Sequence, residues 1–182
     1  MSDRQHRFEQ TVLPHLDAAY NLARWLTRND HDAQDVVQDA VLRAFRFFDG
    51  FRGGEARPWL LAIVRNACFT WLRENRPAEL AGSLDDQGGD GFHLAEDPGP
   101  GPEALAQRSL DKRMLNEAIA ALPPQFREAL VLRELEDLSY KDIARIIDVP
   151  IGTVMSRLAR ARRLLSQSLR VIVAASGSGV HG

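Results

Sequence analysis

A chain of 182 residues suffices for one medium domain or two small ones, and 45% apolar with 26% charged residues is ordinary for a globular protein. The single cysteine, Cys68, excludes an internal disulfide framework and a cysteine-based zinc cluster. No apolar run approaches the roughly 18 residues of a membrane span, and the start lacks the apolar core of a secretion signal, so no membrane insertion and a cytoplasmic location are expected.

The net charge of −2 is unevenly spread: +1 over residues 1–76, −6 over 77–110 and +3 over 111–182. In the first block, Phe8, Val12, Leu16, Ala19 and Tyr20 recur at three- and four-residue steps, which predicts helix. After a break at Asn29–Asp30, a second run carries Val36, Val37, Ala40, Val41, Ala44, Phe45 and Phe48, with Asp30 or Asp32 expected as its cap. Residues 51–55 form a loop, and Pro58 suits the first turn of a third helix. Trp59, Leu60, Ile63, Val64, Ala67, Cys68, Trp71 and Leu72 mark that helix's apolar side. No alternating stretch proposes a sheet. Residues 1–76 are expected to form a small helical bundle.

Residues 77–109 are acidic and dense in Gly and Pro, and their few apolar residues do not offset the entropy of ordering them. They read as a flexible acidic linker. The second domain is expected over 110–171, followed by a flexible tail at 172–182. Leu110, Met114, Leu115, Ala118, Ile119 and Leu122 form one amphipathic helix, stopped by Pro123–Pro124. Phe126, Ala129, Leu130 and Leu132 continue on another. Ser139 precedes a short helix to Ile147, residues 148–152 form a tight turn, and a longer basic helix starts at Thr153. Short helix, tight turn and basic helix is the layout of a helix-turn-helix DNA reader.

In that last helix, Val154, Leu158, Ala161 and Leu165 fall in one sector, while Thr153, Ser156, Arg160 and Arg163 fall opposite, with Arg157 at an edge. Residues 152–170 contain no acid. A helix of this width fits a major groove about 12 Å across, and exposed arginines can grip a phosphate or a guanine edge. The plain alternative is a solvated arginine-rich face. Along the third helix of the first block, Arg57, Arg65, Arg73 and Arg76 alternate with Trp59, Phe69 and Trp71 beside Asn66. Such interleaving suits single-stranded nucleic acid, although Trp59 and Trp71 are expected to pack in the core. The five histidines are scattered, with no pair four residues apart, so a nuclease built on His15 and His31 is not supported. Cys68 reads as buried packing.

Together these segments resemble an extracytoplasmic-function (group IV) sigma factor, the minimal form of the sigma-70 family. DAQDVVQDAVLRAF at 32–45 and RPWLLAIVRNA at 57–67 are similar to region 2; ALPPQFREAL at 121–130, LSYKDIARI at 138–146 and GTVMSRLARAR at 152–162 are similar to region 4. The resemblance implies an all-α protein of two small helical domains joined by the linker. It implies a partner, bacterial core RNA polymerase, whose clamp is contacted by Asp35, Gln38, Asp39 and Arg43. It places −10 promoter contacts at Arg65, Asn66, Phe69 and Arg73, and −35 contacts at Thr153, Ser156, Arg157, Arg160 and Arg163. An anti-sigma factor is a further implied partner. No catalytic residue, metal or cofactor is implied. The chain departs from the usual pattern at Ala56, Thr70 and Met155, where relatives carry an aromatic, an aspartate and a basic residue respectively; the first bears on the −10 base pocket. The competing reading is a stand-alone helix-turn-helix regulator that binds duplex DNA as a dimer without polymerase.

Overall fold

Polar side chains cap the N-termini of three of the described helices. The computed structural model describes residues 2–81 and 109–177, all helix or short connection. Ser2 accepts a hydrogen bond from the Gln5 amide at 3.3 Å and opens α1 (Asp3–Val12). A 3₁₀ turn at Leu13–His15 leads into α2 (Leu16–Thr27), which ends at Arg28 in the left-handed conformation (φ 57°). The cap of α3 (Asp30–Phe47) is Asn29, not the expected Asp30 or Asp32: its extended backbone lets Oδ1 accept from the Asp32 amide at 3.0 Å. Asp30 is already helical and pairs with Arg24 at 2.8 Å. Gly53 and Gly54, at φ 82° and 90°, turn the chain into α4 (Ala56–Asn75).

The linker was expected to begin at Pro77, yet Pro77–Ala81 forms a short helix, α5. Proline is preset for a first helical turn, and Glu79 of α5 is held in an ion pair by Arg28. The rest of the expected linker, 82–108, lies outside the described residues.

The second half comprises α6 (Ser109–Ala120), α7 (Pro124–Leu130), a π-helical turn at Val131–Leu135, α8 (Tyr140–Ile147) and α9 (Ile151–Gly177). Ser139 caps α8 as expected, accepting from the Asp142 amide at 3.1 Å. The following turn is shorter than the predicted 148–152. Asp148 at φ 57° reverses the chain, and the Pro150 carbonyl already accepts from the Thr153 and Val154 amides at 3.0 and 3.2 Å. Gly152 therefore belongs to the helix. At its other end α9 runs through Gly177, past the expected start of a flexible tail at 172; residues 178–182 lie outside the described residues.

α2, α3 and α4 pack through wholly buried Ala19, Ala23, Ala33, Ala40 and Ala44, whose small side chains let the helix axes approach, with Leu22, Leu26, Leu60, Leu61 and Val64 filling the gaps. In the second half, Ile143, Ile146 and Ile147 of α8 meet the predicted inner face of α9, Val154, Leu158 and Ala161; Leu165 is partly buried against the same core. The two cores are continuous. α8 packs on α4 and α7 on α2, so every residue of α7 is buried.

Candidate functional site

On α3 the helical period separates two faces. Ala33, Val36, Ala40 and Ala44 point into the core, which turns Asp35, Gln38, Asp39 and Arg43 to the exposed side. Arg43 pairs with Asp39 at 3.1 Å, and both remain about half exposed. Such a pair adds little stability in water, so the acidic and amide edge is free to exchange partners. Beside it lies an open cavity of about 210 Å³ between Asp35, Asp39 and Arg43 of α3 and Thr70, Trp71 and Glu74 of α4. The four predicted polymerase-facing residues thus share one accessible face.

The four predicted −10 residues on α4 divide. Asn66 and Arg73 are exposed, with Arg73 donating to the Thr70 hydroxyl at 3.1 Å. Arg65 and Phe69 instead face the second half. The Arg65 guanidinium stacks 3.8 Å from the Phe69 ring centroid and donates twice to Glu128, from Nε at 2.8 Å and from Nη2 at 3.0 Å. The tryptophans pack, as their apolar positions predict. Trp59 lies 4.9 Å from Phe51 between ring centroids, and half-buried Trp71 carries the Arg76 guanidinium at 4.9 Å.

On α9, Thr153, Ser156, Arg157 and Arg160 are half-buried, and Arg163 is exposed. The Ser156 hydroxyl donates to the Thr153 carbonyl at 3.0 Å, and the Arg160 guanidinium lies 5.4 Å from the Phe126 ring centroid. Arg162 pairs with Glu134 at 2.9 Å. The predicted reading face of this helix is partly covered by its own protein.

Pattern reasoning did not single out the charged residues buried between the two halves. Glu128 is wholly buried; burial raises its carboxyl pKa, opposed by the Arg65 hydrogen bond and charge and by the charge of Arg157. Arg127, 2% exposed, donates to the carbonyls of Trp25 (2.8 Å), Leu26 (3.2 Å) and Leu122 (2.8 Å). Burial, followed by the charge of Arg28, pushes its pKa down to about 10. Glu136 accepts from Arg57 at 2.8 Å and from Asn21 at 2.7 Å. The signal available in sequence was an Arg–Glu pair inside a seven-residue helix, with apolar residues on both sides.

Residues 11–77 match the family description Sigma-70 region 2, and residues 112–165 match Sigma-70, region 4. Among curated relatives, the ECF RNA polymerase sigma-E factor of Haemophilus influenzae is 36% identical over 157 residues, covering 84% of this chain and 81% of that protein. The RNA polymerase sigma-H factor of Pseudomonas aeruginosa is 34% identical over 170 residues, covering 91% and 88%. ECF sigma factor SigE of Mycolicibacterium smegmatis is 34% identical over 162 residues, and there the match spans 89% of this chain but only 61% of the relative. Among solved structures, the sigma factor RpoE of Bartonella quintana, in complex with the anti-sigma factor NepR, superposes with a TM-score of 0.67 at 30% identity, covering 91% of this chain and 98% of that one. CnrH, in complex with the cytosolic domain of CnrY, gives 0.63 at 25% identity, covering 92% and 90%. The chain belongs to the extracytoplasmic-function branch of the sigma-70 family, non-enzymatic factors that direct promoter-specific initiation by RNA polymerase. Among the described residues no helix is long and apolar enough to cross a membrane.

Proposed function

We propose that the chain is a promoter-specificity subunit without covalent chemistry of its own, acting in the cytoplasm, with residues 1–76 as region 2, 77–109 as tether and 110–171 as region 4. The observation that carries this reading is the pair of region matches, in family order, on one chain. Asp35, Gln38, Asp39 and Arg43 dock on the polymerase clamp; their shared exposed face supports this. Asn66, with Arg65, Phe69 and Arg73, holds an extruded base of the −10 element. Flipping a base costs a few kcal/mol, which stacking and an amide able both to donate and to accept can recover. Thr153, Ser156, Arg157, Arg160 and Arg163 read the −35 element in the major groove. A tether between the two readers makes the second contact intramolecular and raises avidity.

The two solved structures named above hold the anti-sigma factor NepR and the cytosolic domain of CnrY, which supports an anti-sigma factor as a partner here and favours this reading over a stand-alone dimeric regulator. Run-off transcription from a promoter library with purified core polymerase tests it. Addition of the chain selects a new set of start sites; duplex binding without polymerase, and no redirection with it, would instead identify a stand-alone regulator.

A further inference from the structure

Among the described residues one phenylalanine is exposed. Phe47, in the last turn of α3, keeps 65% of its surface in water. Its neighbours in sequence do not: Phe45 and Phe48 lie 5.1 and 5.3 Å from Phe8 between ring centroids, and Phe51 lies 4.9 Å from Trp59. Phe47 joins neither that cluster nor the core of the first helical module. A single exposed apolar side chain is ordinary; the surroundings of this one are not.

The helical period places it. Asp35, Asp39 and Arg43 form the α3 side of the open cavity and recur every four residues, and the next member of that row is Phe47. On α4 the row Glu74 and Thr70 forms the other side, and its next member is Asn66. α4 runs back along α3, since Phe48 lies 6.3 Å from Trp59 while Asp35 shares the cavity with Glu74. Phe47 and Asn66 therefore border one cleft, and the cleft changes sign along its length. Asp35, Asp39 and Glu74 stand towards one end; Arg43, Arg46 and Phe47 stand towards the other, followed by Arg52 in the loop before α4. Arg46 and Arg52 are exposed, and no carboxylate pairs with either among the described residues. The nearby Asp49 is held by Arg4 at 3.0 Å.

An open ring beside available guanidiniums suits single-stranded nucleic acid, because every base has a face that stacks and cations follow the phosphates. We propose that Phe47 is a stacking platform for a base of melted promoter DNA, with Arg46 and Arg52 on the adjoining phosphates. This rests on the reading of Asn66 as a −10 contact and adds a second base position to it. Ala67, beside Asn66, lines the cavity with Arg43, and Phe47 stands one helical turn, about 6 Å, further on. Stacked nucleotides advance about 3.4 Å each, so the platform takes a base about two or three nucleotides from the one at Asn66.

The test uses holoenzyme, made from the full chain and core polymerase, on a promoter from the run-off selection that is pre-melted over its −10 element. The adenine analogue 2-aminopurine, whose fluorescence falls when it stacks on an aromatic ring, replaces single bases on either side of the one assigned to Asn66. The expected result is a quenched position about two or three nucleotides away. Phe47→Ala restores fluorescence there and shortens the lifetime of the open complex about fivefold or more. Phe47→Trp keeps the quenching, whereas Phe47→Leu, apolar but without a ring, loses it. Leu13→Ala, which removes another exposed apolar side chain of the same module (58% exposed), changes neither readout. Arg46→Ala and Arg52→Ala each flatten the salt dependence of open-complex stability.

Quenching that survives Phe47→Ala, or an open complex as long-lived in Phe47→Leu as in wild type, overturns the platform. So does a loss of core-polymerase affinity in Phe47→Ala with quenching intact, which would make the ring an anchor for protein instead. If Asn66→Ala leaves the open complex as stable as wild type, the −10 assignment of Asn66 fails, and the effect of Phe47→Ala on quenching still reports whether this ring stacks on a base.

Discussion

The outer face of α3, largely acidic, and the predicted reading faces of α4 and α9, rich in arginine, differ in what surrounds them. On α3, Asp35, Gln38 and Asp39 lie in water, and the pair Arg43–Asp39 is solvent-screened. On α4 and α9, Arg65 stacks on Phe69 and binds a carboxylate with no exposed surface, while Arg160 lies over Phe126. The predicted docking face keeps its charges in water, whereas the predicted reading faces engage part of theirs with internal partners. The contrast teaches that charged residues on neighbouring helices of one fold differ in how far the protein itself already satisfies them.

The seam between the modules is where that contrast breaks most sharply. Arg127→Ala leaves three carbonyl acceptors in the buried seam without their donor and opens a cavity beside them. We expect a loss of about 3–5 kcal/mol in urea unfolding. Arg127→Lys recovers only part of it, because one ammonium does not reproduce the spread of the guanidinium fork. A wild-type midpoint in either variant would mean that α7 does not bind the modules together.

The exposed face responds differently. Asp39→Arg leaves unfolding within about 0.5 kcal/mol of wild type, since its neighbours are solvated. Fluorescence anisotropy with labelled chain should show core-polymerase affinity falling about tenfold or more, since it places a like charge against whatever cation meets the acidic edge. Normal holoenzyme assembly would remove α3 from the docking assignment.

Pattern reading found the parts of the fold that follow a period and missed those that follow contact. The 3.6-residue repeat placed α3, α4, α8 and the inner face of α9 correctly, down to Val154, Leu158 and Ala161 at 0–1% exposure. The Ser139 cap was legible because the side chain and the amide it satisfies are three residues apart. The cap of α3 is Asn29, one and three positions before the expected Asp30 or Asp32, because Asn and Asp have the same capping chemistry and only the backbone angles decide between them. Helix Pro77–Ala81 was hidden by a composition that spoke for linker, since an ion pair to Arg28, 51 residues away, holds it. Glu128 carries no local signal of its environment. Its burial depends on α4, 63 residues earlier, arriving on the polar side of α7. The candidate residues on α3 were legible as a face for the same reason the helices were, whereas the sequestration of Arg65 is a tertiary fact with no local signature.

Smaller effects sharpen the comparison within α9 itself. Arg163 is exposed, whereas Arg160 also covers Phe126. Each alanine variant, if the side chain reads a base, costs about 1–3 kcal/mol in promoter affinity and relaxes the −35 preference. Arg160→Ala should in addition alter unfolding by a few tenths of a kcal/mol to about 1 kcal/mol through the lost cation–ring contact, while Arg163→Ala should not. Urea unfolding separates the two variants, and filter binding of the holoenzyme on promoter variants measures the shared effect. Unchanged affinity and selectivity in both would show that this face does not read DNA.

The smallest effect concerns the proton on Glu128. Burial holds its carboxyl above the ordinary value of 4.5, against the pull of Arg65 on α4 and Arg157 on α9. The folded chain therefore keeps this proton at a pH where the unfolded chain has released it. Through this group alone, folding is disfavoured above the folded pKa, and the penalty fades as pH falls towards 4.5 and below. Glu128→Gln removes the titration while keeping a hydrogen-bond acceptor for Arg65. The difference in unfolding free energy, wild type minus Glu128→Gln, should rise as pH falls from neutral into the mildly acidic range. A difference that falls in that direction would mean that the two arginines outweigh burial, and that the seam is held by the charge of Glu128 rather than by its fit.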